Sequence, residues 1–196
     1  PDMELVRCVS ISSMTRLGRP APPKPTPLKL PVASASLTGL PAMHAHFDLP
    51  TKALGVLRAA TPHYYHGQIN GESETEFVKR LVNDVEALIL REGQETIAAF
   101  IAEPVGGAAG VMVPPKGYFP ALKKVLEKYD ILFWADEVIC GFGRTGNDFG
   151  CTTMEIKPDL MSLAKQLSSA YIPISASIIP GFMHEAMRDP SEQIGI

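Results

Sequence analysis

Apolar positions recur along most of the chain either at helical steps or in unbroken strand-length runs, and the two kinds of segment alternate. Between Glu72 and Glu92, Phe77, Leu81, Val85, Leu88 and Ile89 fall at three- and four-residue steps, which predicts a helix with its apolar stripe on a sheet. Ser73 before an acidic first turn and Gly93 after the last periodic residue mark its ends. Thr96 to Val105 is nearly all apolar, as a strand buried on both faces should be, and Pro104 stops it. A second helix is predicted over Gly117 to Tyr129, with Phe119, Leu122, Val125 and Leu126 on one side and Lys123, Lys124 and Lys128 facing water. Ile131 to Val138 and Leu160 to Ala164 read as two more buried strands, and Ile174 to Ile179 as a last one. Upstream, a short strand or turn runs through Ser36 to a break at Gly39, Leu40 and Pro41. Strands and helices in this order predict an α/β fold with a mostly parallel sheet flanked by helices.

Residues 1–33 differ from the rest. The stretch Arg-Pro-Ala-Pro-Pro-Lys-Pro-Thr-Pro at 19–27 cannot supply the amide donors of a helix or central strand, so 1–33 is expected to be extended or disordered and 34–196 to carry the domain. The span from Arg7 to Lys29 is basic, contains serines and lacks acids, as organellar targeting sequences do, yet shows no amphipathic stripe. A cytoplasmic location is the first expectation, a mitochondrial one the alternative. A length of 196 residues suits one domain with one sizeable core. The formal charge of −3 gives no basic surface for nucleic acid, and no apolar run is long enough for a membrane span. Three cysteines, Cys8, Cys140 and Cys151, suggest neither a disulfide framework nor a zinc site. The spacing of His44, His46, His63 and His66 is unlike a firm metal site, and Tyr64 and Tyr65 beside Pro62 read as packing or as the lining of an entrance.

In open parallel sheets ligands bind beyond the carboxyl ends of the strands. Glu103 ends the first long strand, Asp136 and Glu137 end the second, and Lys165 ends the third, so two carboxylates and a lysine could converge there. Alternation along a strand points Val138 the same way as Asp136 and turns Glu137 elsewhere, toward a structural partner. Each of these residues alone could be half of an ion pair or a solvated loop residue. The run Ala135-Asp136-Glu137-Val138-Ile139-Cys140-Gly141-Phe142-Gly143-Arg144-Thr145-Gly146, followed by Lys-Pro-Asp-Leu-Met-Ser-Leu-Ala-Lys at 157–165, is more specific. Together with Ile-Ala-Glu-Pro-Val at 101–105 and Leu-Ser-Ser-Ala-Tyr-Ile-Pro at 167–173, it resembles the class III (omega) aminotransferases over about Ala33 to the end of the chain. The 29 residues from Asp136 to Lys165 (165 − 136) suit the interval between that family's ring-nitrogen acid and its Schiff-base lysine.

The resemblance implies a partial large domain of the fold type I transferases that use pyridoxal 5'-phosphate. It makes Lys165 the catalytic lysine that forms the Schiff base and then moves a proton at the substrate carbon. Asp136 would hold the pyridine nitrogen protonated, Val138 would press on the ring face, and Glu103 would support the site from nearby. Leu163, Ala164 and Leu167 are expected to desolvate the lysine. Arg144 matches a loop arginine whose role stays open. The reaction implied is transamination of an omega-amino acid or amine, 4-aminobutyrate-like, with pyruvate or another keto acid as acceptor, in a homodimer. The alternatives are an inactive remnant of such an enzyme, or a related decarboxylase, racemase or aminomutase.

Departures from the family pattern bear on this expectation. The Gly-Ser phosphate loop would lie upstream of residue 1, Leu-Lys-Leu-Pro-Val at 28–32 stands where an aromatic-His-Gly segment belongs, and the threonine-bearing loop would follow Ile196. The chain therefore reads as a fragment, expected by itself to show little absorbance at about 410 to 430 nm from bound cofactor. Ala108 stands where several relatives have a gating glutamate, and Ile139 where others have a glutamine. Both suit the pyruvate-using omega branch, as do Ser-Leu-Thr-Gly-Leu-Pro at 36–41, Phe-Asp-Leu-Pro at 47–50 and Pro-His-Tyr-Tyr at 62–65.

Overall fold

The computed structural model describes residues 7–12, 36–40, 44 and 55–194. Six strands form one sheet: β1 (Arg7–Ser12), β2 (Leu57–Ala60), β3 (Ile97–Ala102), β4 (Leu132–Asp136), β5 (Leu160–Leu163) and β6 (Ala176–Ile178). Their order is β2-β1-β3-β4-β5-β6, parallel from β2 through β5, with β6 antiparallel on β5. The helices are α1 (Tyr64–Gly67), α2 (Glu74–Glu92), α3 (Tyr118–Lys128), α4 (Gly150–Thr153) and α5 (Gly181–Ile194).

Helix α2 begins at a capping box. The Ser73 hydroxyl accepts from the Glu76 N–H while the Glu76 carboxylate accepts from the Ser73 N–H, so two otherwise unpaired amides are satisfied. Gly93 closes the helix at φ 87°, a left-handed conformation that costs a glycine little. The apolar stripe of α2 (Phe77, Leu81, Val85, Ile89) and that of α3 (Phe119, Leu122, Leu126) are buried with Phe100 of β3 and Phe133 of β4. The rings of Phe100 and Phe133 stack at 6.2 Å and Phe119 meets Phe133 edge-on at 5.8 Å. Each such side chain contributes roughly 1.5–3 kcal/mol by leaving water.

Several sequence expectations change in detail. β1 lies inside the segment set apart as Pro-rich and sits between β2 and β3, while the proline run at 19–27 lies outside the described residues. Ser36 and Leu37 are helical, not strand. Lys123 does not face water: its ammonium donates to Asp159 at 2.7 Å, and its side chain is 16% exposed. β4 stops at Asp136, two residues before the predicted end. No helix among the described residues is long and apolar enough to cross a membrane.

Candidate active site

Because β3, β4 and β5 are parallel neighbours, their carboxyl ends open on one side, where a cleft of about 460 Å³ lies. Glu103 follows β3, Asp136 closes β4, Lys165 comes two residues after β5, and all three line this cleft with Val138. Its floor carries Trp134 and Ser162, whose side chains are joined by an indole N–H donating to the hydroxyl at 2.9 Å. Leu37, Thr38, Gly39 and Leu40 form one wall with Thr61 and Pro62, and Ala108, Met112 and Ile139 form another. Arg58 on β2 steadies the first wall by donating to the carbonyls of Ser36 (2.6 Å) and Leu37 (2.7 Å).

Asp136 accepts one hydrogen bond, at Oδ1 from the Val138 N–H (3.1 Å). Burial raises its pKa above the usual carboxylate value, an effect opposed by that hydrogen bond and by the charge of Lys165. Glu103 accepts at Oε2 from the Gly107 N–H (2.9 Å). Burial raises its pKa too, and the Asp136 charge adds to the rise while Lys165 counters it. The charge of Lys165 thus acts on both acids and that of Asp136 on Glu103, yet among the described residues no ion pair within 4 Å joins the lysine to either acid. Lys165 holds φ at 48°, a left-handed conformation unfavourable for a side-chain-bearing residue and common where a site requires one. Leu163 is buried and Leu167 half-buried, but Lys165 itself is exposed, so the apolar enclosure expected around it is partial.

Val138 reaches the cleft by a different route from the one alternation predicts. The strand has ended, and a turn carries Val138 back so that its N–H meets Asp136. Glu137 points away, is fully buried, and accepts from the N–H groups of Gly150 (3.0 Å) and Cys151 (2.6 Å). Arg144 is exposed in the following loop and does not line the cleft. Neither do Tyr64, which donates to the Glu72 carbonyl (2.5 Å) and packs on Phe77, or Tyr65, which is exposed. His44 bonds to the Thr38 carbonyl (2.9 Å), His46 lies outside the described residues, and the rings of His63 and His66 sit 4.9 Å apart. No group of three metal-binding side chains occurs among the described residues. Cys140 and Cys151 are buried thiols whose pKa values burial pushes up.

Sequence reasoning missed the floor and the first wall. Trp134 lies two residues before Asp136 on the same face of β4, so alternation contained the signal for it. Ser162 pairs with Asp136 in the sheet register, which becomes visible only once β4 and β5 are known to be neighbours. Nothing in the local pattern points residues 37–40 at the cleft.

A mostly parallel α/β sheet thus brings a lysine and two carboxylates to the lining of one cleft beyond its strand ends. The profile of the family described as aminotransferase class-III matches residues 32–193, and the chain belongs to that family. It is 52% identical over 163 residues to gamma aminobutyrate transaminase 2 of Solanum lycopersicum, covering 83% of this chain and 35% of that one. It is 56% identical over 162 residues to the probable gamma-aminobutyrate transaminase 2, mitochondrial, of Oryza sativa subsp. indica, covering 83% and 32%. Among solved structures, the omega transaminase from Pseudomonas jessenii in complex with PMP superposes with a TM-score of 0.83 at 48% identity, covering 96% of this chain and 39% of that one. The chain spans about a third of the length of these curated relatives.

Proposed function

We propose that the chain contributes the pyridoxal-phosphate cleft of an omega-amino acid or amine transaminase, 4-aminobutyrate-like in its donor, with pyruvate or another keto acid as acceptor. The carrying observation is the placement of Lys165 and Asp136 in one cleft, Asp136 at the end of β4 and Lys165 two residues after the neighbouring β5, with no ion pair joining them among the described residues. The residues present fit the cofactor. Asp136 offers a carboxylate engaged at one oxygen only, the Lys165 amine has no ion-pair partner among the described residues, and Val138 gives an apolar face beside them. When bound, pyridoxal phosphate supplies an aldehyde that takes an amine and a ring that accepts the electron pair left on the substrate carbon.

Each residue then has a defined task. Lys165 would hold the cofactor through its Nζ, and its amine would move a proton at the substrate carbon. Asp136 would favour a proton on the ring nitrogen, and its half-buried position would leave that charge pair little screened. Glu103, fixed by the Gly107 N–H, adds negative charge near the ring and holds the adjoining loop. Ala108 and Ile139 give the wall apolar side chains, and the 4-aminobutyrate-like donor is taken from the names of the two plant relatives. We take the active unit to be a homodimer, and a mitochondrial location follows the name of the rice relative.

The test is alanine formation from 4-aminobutyrate and pyruvate by the full chain with added pyridoxal phosphate. Alanine formation that Lys165→Ala abolishes supports the reading. Keto-acid-independent loss of the amine would point instead to a decarboxylase on the same scaffold, and cofactor capture without turnover to an inactive remnant.

A further inference from the structure

Glu137 follows Asp136 directly but does a different kind of work. Its side chain is fully buried, and both carboxylate oxygens are engaged, Oε2 by the Gly150 N–H and Oε1 by the Cys151 N–H. Its main chain is held as well: its N–H donates to the Ser162 carbonyl of β5 (3.0 Å), and its carbonyl accepts from the Gly141 N–H (2.9 Å). One residue therefore ties β4 to β5 and closes the base of the loop 138–149 at both ends. The far end fits only because residue 150 is glycine. A Cβ there would stand 2.7 Å from the Cβ of Cys140 and 2.9 Å from that of Pro104. The closed loop thus also packs on the residue after Glu103.

The first two residues of this loop, Val138 and Ile139, are walls of the cleft, and the Val138 N–H holds Asp136 Oδ1. We propose that Glu137 is a positioning residue for the cofactor cleft: by clamping the loop shut beneath the sheet it fixes the Val138 face and the orientation of the Asp136 carboxylate, without itself reaching the cleft. An amide in its place can satisfy one backbone donor but turns its own N–H₂ toward the other, so even an isosteric change releases one end of the loop. The inference rests on the cofactor reading above.

The test uses the full chain, incubated with pyridoxal phosphate and reduced with borohydride, with label at Lys165 measured by peptide mapping against label at the exposed Lys116. Glu137→Gln and Glu137→Ala are compared with Asp159→Asn, which loosens the opposite end of the same strand. We expect the Lys165:Lys116 ratio to fall by roughly tenfold in the Glu137 variants, the scale of one lost charged hydrogen bond, and to stay within about twofold in Asp159→Asn at equal residual stability. Emission from Trp134, the only tryptophan, reports the cleft floor and should respond to the cofactor in wild type and Asp159→Asn but weakly in the Glu137 variants. An unchanged ratio in both Glu137 variants, or an equal fall in Asp159→Asn, overturns the positioning role alone. A wild-type chain with no preference for Lys165 overturns the cofactor reading and this inference together. Should the Glu137 variants not fold, amide hydrogen exchange in the cofactor-free wild type decides: Gly150 and Cys151 amides protected to the same degree as those of β4 support the clamp, and exchange there as fast as in the exposed residues 142–144 rejects it.

Discussion

The two ends of β4 use the same kind of residue in opposite ways. At the amino end Asp159, just before β5, accepts from the Phe133 N–H and the Lys123 ammonium, both at 2.7 Å, while its own N–H donates back to the Phe133 carbonyl at 2.8 Å. That carboxylate is neutralised and spent on holding α3, β4 and the approach to β5 together. At the carboxyl end Asp136 and Glu103 have one backbone donor each and a lysine that is near but not in contact. Their charge is left for something else. A polar group with its partners in place belongs to the fold, and one held rigidly but under-satisfied in a cleft marks chemistry.

Removing the core side chain of the strand that both ends share has the largest effect. Phe133→Ala should destabilise the protein by about 3–5 kcal/mol, because its ring is fully buried between Phe100 and Phe119. The measurement is the midpoint of urea unfolding. Asp159→Ala comes next, at roughly 1–3 kcal/mol, since it leaves the Phe133 N–H without its acceptor and the largely covered Lys123 ammonium with only the Glu127 carboxylate, 3.8 Å away. Asp136→Asn should by contrast cost no stability in the cofactor-free protein, and equal losses for the two variants would erase the distinction between the ends. Gly107→Ala would bring a Cβ to 2.6 Å from Ile139 Cδ1, an overpacking worth about 1 kcal/mol that Ile139→Ala should relieve.

The smallest effect is on pH dependence. Asp136 and Glu103 have raised native pKa values, so just above the ordinary carboxylate range the folded state keeps protons that the unfolded chain has lost. The unfolded state then binds fewer protons, and the contribution of these groups to stability falls as pH rises through that window. Asp136→Asn should flatten this part of a stability-versus-pH curve measured without cofactor, and a steeper curve would contradict the assignment.

What could be read from the sequence was whatever repeats along it. The stripe of α2, the Ser73 cap, the buried runs of β3 to β5 and the strand-end placement of Glu103, Asp136 and Lys165 all follow from local periodicity. What could not be read depends on pairings distant in sequence or on single turns. Lys123 looked solvent-facing because its partner Asp159 lies 36 residues on. Helices α1 and α4 are four residues each, too short to show a period, and so the donors that Glu137 would find at Gly150 and Cys151 were hidden. β1 was masked by the prolines that follow it, and Val138 arrives by a turn where alternation predicted a strand.

The central claim is that the amine at 165 and the acid at 136 hold one cofactor between them, and borohydride trapping tests it most directly because capture registers even weak binding. After reduction of the full chain with pyridoxal phosphate, peptide mapping should find the label concentrated at Lys165 and reduced several-fold in Asp136→Ala. Label spread evenly over the exposed lysines, or undiminished at Lys165 when Asp136 is gone, would contradict the account.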